Sequence, residues 1–137
     1  MKKIHHLSLV TNDLELTLNS LNIEKSDIQE VLTDHEQKNT LYFVYIKENN
    51  LWIEIIVPLN ENSTTYTFAK KFGLGLHHLG FTTNNLEETE KNYTSRPLVF
   101  KIGNYKNKVE CFGGEISTIF VAIKGLILEF VTNVQKK

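Results

Sequence analysis

Apolar residues alternate with polar or small ones along residues 4–10, IHHLSLV, which is the period of a half-buried β-strand. Asn12-Asp13-Leu14-Glu15 follows, with a capping Asn three residues before a Glu, and predicts a helix over about 13–21. SDIQEVL, NTLYFVYI and LWIEIIVP then predict three strands, the last two joined by the polar turn Lys47-Glu48-Asn49-Asn50. Residues 60–75, NENSTTYTFAKKFGLG, predict a short helix ending in a glycine turn. From residue 76 the pattern restarts. LHHLGFT predicts a strand and Asn84-Asn85-Leu86-Glu87 opens a helix over about 85–94. Strands are then predicted at PLVFKI, near KVECF, at STIFVAI and at GLILEFV. NVQKK, at the end of the sequence, is expected to fray.

The restart is a duplication. IHHLSLVTNDLE (4–15) and LHHLGFTTNNLE (76–87) share seven of twelve positions without a gap, where average residue usage gives about one by chance. LWIEII (51–56) and LILEFV (126–131) answer one another as well, each an apolar run with a glutamate at its fourth place. The economical reading of the 137 residues is one α+β domain spanning 1–137. It comprises module 1 at about 1–59, a connector at about 60–75 and module 2 at about 76–132, each module ordered βαβββ.

Charge and composition narrow the partners. A formal net charge of −1 gives no reason to expect nucleic acid or an anionic membrane as partner. No apolar run is long enough for a secretory signal or a bilayer span, and the one cysteine, Cys111, suits a reducing compartment, so a cytoplasmic location is expected.

Side chains on a strand alternate faces, so His6, Ser8 and Val10 share one face of the first strand, and His78, Gly80 and Thr82 share one face of its repeat. The opposite faces, with Leu7 and Leu9 or Leu79 and Phe81, suit packing beneath the helices. The small residues Ser8 and Gly80 leave room beside a histidine. His6 and His78 are therefore assigned inward, and His5 and His77 to structural roles. Glu54 and Glu129 each stand in an apolar run, where an unpaired buried carboxylate costs several kcal/mol. Two imidazoles and two carboxylates supplied symmetrically make a mixed N/O site for one divalent metal ion, Zn, Ni, Co, Mn or Fe.

These residues are the ones by which the chain resembles the vicinal oxygen chelate superfamily, which includes glyoxalase I, methylmalonyl-CoA epimerase and the bleomycin-resistance proteins. The stretch IEIIVPLNENSTTYTFAKKFGLGLHHLGFTTNNLE is most similar to the epimerase branch, with Pro-Leu closing a strand, a Ser/Thr-led helix ending in Lys-x-Gly-x-Gly, and then His-His. The resemblance implies two βαβββ modules forming a curved, incompletely closed eight-stranded barrel, commonly as a homodimer. It implies metal ligands at His6, Glu54, His78 and Glu129. It further implies a metal-dependent isomerase, epimerase or lyase that moves a proton next to the carbonyl of a thioester or α-oxo substrate, which could be an acyl-CoA. Glu129 would be the catalytic base and Glu54 its symmetry mate. The chain departs from the epimerase pattern at Leu41, where that branch carries a second acid/base Glu. The alternative is a non-catalytic, resistance-type protein of the same fold that binds a small molecule.

Overall fold

A computed structural model of the chain describes residues 3–132, and the expected frayed tail NVQKK lies outside the described residues. The strands are β1 (Ile4–Thr11), β2 (Ile28–Asp34), β3 (Asn39–Ile46), β4 (Leu51–Pro58), β5 (Leu74–Thr82), β6 (Val99–Val109), β7 (Gly114–Ile123) and β8 (Leu126–Thr132). The helices are α1 (Leu14–Ser20), α2 (Tyr66–Phe72) and α3 (Leu86–Thr94). The order is βαβββ, then α2, then βαβββ again, so the chain has the α+β class and the tandem modules expected from its pattern.

The described residues fall into two compact units, 6–77 and 78–132 with 3–5. In the first, the strands follow the order β2-β3-β4-β1, with β1 and β4 parallel and the other pairs antiparallel. In the second the order is β5-β8-β7-β6, with β5 and β8 parallel and the rest antiparallel. A parallel pair cannot be joined by a tight turn, so in each module the helix and two strands intervene between its members.

α1 and α3 each start on a side-chain cap, one residue later than the sequence pattern suggests. Asp13 rather than Asn12 accepts the Leu16 N–H, and Asn85 rather than Asn84 accepts the Glu88 N–H. The reason is a threonine pair that fixes where the strand ends. Thr17 donates to the Asp13 carbonyl and to Thr11 Oγ1 at 2.8 Å, and Asp13 N–H donates to Thr11 Oγ1. Thr89, Asn85 and Thr83 repeat the arrangement, with the two hydroxyls 2.7 Å apart. All four threonines are buried. α2 stops at Gly73, whose φ of +73° is cheap only for glycine and whose N–H bonds back to Ala69.

Each unit has its own core on the helix side of its strands. In the first, Leu14 and Leu18 of α1 pack with Ile23, Val44, Ile53 and Ile55. In the second, Leu86 and Tyr93 of α3 pack with Val121, Leu128 and Phe130, and Leu79 and Phe81 join them as expected. One expectation fails. PLVFKI and KVECF are not two strands: β6 runs unbroken for 11 residues, and Glu110–Phe112 is a tight 3-10 turn. The polar residues of GNYKNK hid this, because every other one is exposed on an edge strand paired on one side to β7.

Candidate metal centre

The parallel strand pair of each module sets a histidine beside a glutamate. In the first, His6 lies opposite Trp52 and Ser8 opposite Glu54, so all four share one face. In the second, Gly80 lies opposite Glu129, and His78 stands two residues earlier on the same face. The third strand repeats the correspondence, with Phe43 opposite Glu54 and Phe120 opposite Glu129. The alternate residues Ile53, Ile55, Leu128 and Phe130 turn to the helices. A glutamate therefore sits in each apolar strand because that strand has two faces, and only one of them is the helix-side core.

The pairs are close. His78 Nε2 donates to Glu129 Oε1 at 3.1 Å, and both side chains are buried. His6 Nε2 lies 4.0 Å from Glu54 Oε1, too far for a hydrogen bond. His6 is buried, while Glu54 keeps 12% of its side chain exposed. Two ligands each ~2.1 Å from one ion lie roughly 3–4 Å apart, so the separation in each pair suits atoms that share a cation. Imidazole nitrogen with carboxylate oxygen is also the donor mixture that suits first-row divalent ions. The residues thus fit a metal in spacing and in chemistry.

Ser8, first considered for its small size, proves to be a partner: its hydroxyl donates to Glu54 Oε1 at 2.5 Å. Phe120, which the sequence did not single out, sets its ring edge-on to His78 with centroids 5.0 Å apart. Its signal was parity across a strand pairing that cannot be read locally. His5 and His77 pack edge-on against Phe112 and Phe68, with centroids 4.5 and 5.1 Å apart, in keeping with structural roles. Tyr45 packs on Trp52 and hydrogen-bonds Asn50 in the β3–β4 turn. Leu41 is buried between Leu32 of β2 and Ile56 of β4, so the strand offers a hydrocarbon wall at that position. Glu36, the carboxylate nearest to Leu41 along the chain, is exposed in the β2–β3 turn.

No family model matches the sequence, and no curated protein matches it. Solved structures do match. A variant of Streptomyces coelicolor methylmalonyl-CoA epimerase in complex with 2-nitronate-propionyl-CoA superimposes with a TM-score of 0.78 at 19% identity, covering 100% of this chain and 98% of that one. A hypothetical protein of Bacillus halodurans gives 0.76 at 20%, covering 99% and 97%. Methylmalonyl-CoA epimerase from Mycobacterium tuberculosis gives 0.76 at 18%, covering 97% and 89%. The chain therefore has the fold of these methylmalonyl-CoA epimerases.

Proposed function

We propose that this protein is a metal-dependent isomerase, epimerase or lyase that moves a proton on the carbon next to a carbonyl of a thioester or α-oxo substrate. The observation that carries this reading is the recurrence of one His–Glu pair at the same register of both parallel strand pairs, Ser8 opposite Glu54 and Gly80 opposite Glu129. His6, Glu54, His78 and Glu129 would together hold one divalent ion, each offering one ligand atom. Bound there, the ion supplies Lewis-acid polarisation of the substrate carbonyl and stabilises the charge that develops on its oxygen.

The chain's own residues do the rest. Glu129 takes the proton from the substrate carbon through a carboxylate oxygen. His78 Nε2 stands 3.1 Å from that carboxylate, the spacing of two ligands on one ion, and Phe120 packs edge-on against the imidazole. Glu54 is the symmetry-related carboxylate, held by Ser8. Several of the solved structures of this fold are epimerases with an acyl-CoA or its analogue, for example one with methylmalonyl-CoA and NH4+, which favours an acyl-CoA as the substrate class.

Leu41 supports a second reading. A buried leucine stands where an epimerase of this pattern carries an acid/base glutamate, as would suit a protein that binds a small molecule without turning it over. Metal analysis of the purified protein beside a His78→Ala variant separates the two. One divalent ion per chain, lost in the variant, is the expected result. A chain that stays metal-free under Zn, Ni, Co, Mn and Fe loading would leave the binder.

A further inference from the structure

Thr118 carries a hydroxyl that the fold does not use. It lies in β7, 4% exposed, and among the described residues its Oγ1 has no hydrogen-bond partner. The buried threonines at 11, 17, 65, 83 and 89 all have one. Valine would fill the same volume, suits a strand as well, and would bury no polar atom. An unsatisfied buried hydroxyl lowers stability, and a native chain carries one where something else needs it.

Its position indicates what that is. Thr118 lies opposite Val131 and Phe120 lies opposite Glu129, so Thr118 and Glu129 share the face that bears His78. On its other side Thr118 lies opposite Tyr105, whose ring packs on Phe120 with centroids 5.9 Å apart. The module duplication makes the place more specific. Leu41 stands opposite Ile56, two residues past Glu54, just as Thr118 stands opposite Val131, two residues past Glu129. The same position is thus apolar in one module and hydroxylated in the other. A threonine hydroxyl offers one donor, and next to a carboxylate that accepts protons the complementary ligand atom is an oxygen acceptor.

We infer that Thr118 is a substrate-positioning residue, whose Oγ1–H donates to a carbonyl or carboxylate oxygen of the molecule bound against Glu129. The inference rests on the proposed metal-dependent carbonyl chemistry at Glu129. The hydrogen bond fixes the rotation of the substrate about its attachment, and so which C–H faces Glu129.

Thr118→Val and Thr118→Ser variants of the full chain test it in two arms. Without metal or ligand, Thr118→Val should melt at or above the wild-type temperature, because the hydroxyl has no partner to lose. With Mn(II) loaded and oxalate as the probe, a planar dianion with the oxygens of an enediolate, calorimetry should show Thr118→Val binding at least about tenfold more weakly, the effect of one hydrogen bond to a charged oxygen. Thr118→Ser should bind like the wild type. A Thr118→Val protein that melts several degrees lower, or that binds oxalate as the wild type does, overturns the inference. A wild-type chain that takes up neither Mn(II) nor Zn, Ni, Co or Fe instead removes the reading of the preceding subsection, and the metal-free melting arm still decides whether the fold uses this hydroxyl.

Discussion

Ser8 donates its hydroxyl to Glu54 at 2.5 Å, whereas the residue in the same register of the second module, Gly80, has no side chain with which to hold Glu129. Glu129 bonds to His78 instead. Two glutamates that look interchangeable in the sequence are thereby made unequal. Glu54 is held by a group that is not a metal ligand, while Glu129 is held by a residue proposed to be one.

The proton-transfer roles should differ accordingly. Glu129→Gln is expected to lower the rate of α-proton exchange into deuterated water by about 10²- to 10⁴-fold, the usual worth of a positioned base. Glu54→Gln should cost less in that rate. Proton NMR of methylmalonyl-CoA incubated with each variant reads both. Equal losses would show that the Ser8 tether does not divide the roles.

Removing the tether should be felt at the metal. Ser8→Ala takes away the donor that orients Glu54, and a lost hydrogen bond to a ligating carboxylate typically weakens metal affinity by about 10- to 100-fold. Competition with a chromophoric chelator measures it. An unchanged affinity would mean that Glu54 does not ligate, or that Ser8 does not orient it.

Leu41 predicts a one-sided reaction. With hydrocarbon at that position, the wild type should exchange the α-proton of one epimer without interconverting the two, which chiral analysis of the recovered acid detects. Leu41→Glu should add interconversion, while lowering stability by several kcal/mol because the new carboxylate replaces a buried leucine. Full epimerisation by the wild type would contradict this.

Metal should also stabilise the fold. An ion that binds the folded chain alone, at a hundred times its Kd, adds about 2.7 kcal/mol. Adding EDTA to the loaded protein is therefore expected to lower Tm by roughly 5–15 °C. In the His78→Ala variant EDTA should have little effect.

The threonine pairs give a test of the fold itself. Thr17→Val and Thr89→Val each remove the hydroxyl that joins a helix's first turn to the end of the preceding strand. Each should cost about 1 kcal/mol by urea titration with an unchanged m-value. A loss in one variant alone would show that the two networks, though alike in geometry, are not alike in energy.

Much was decided locally and could be read from the chain. The alternation in IHHLSLV and LHHLGFT gave the strands and assigned His6 and His78 to one face. The isolated Glu54 and Glu129 marked strands with two unlike sides, and the offset of 72 between the two histidine segments gave the module count. These follow from periods of two residues and from caps within four, which neighbouring residues determine. What the residues beside one another in space would be was not legible. That Ser8 faces Glu54, that Phe120 closes on His78, that β6 continues through a polar stretch and that Thr118 Oγ1 has no hydrogen-bond partner among the described residues all depend on strand register. Register is set by pairing between segments far apart in sequence, and a shift of one residue turns every side chain to the other face. The sequence by itself therefore determined which residues are the candidates for the chemistry, and the tertiary structure decided what each of them touches.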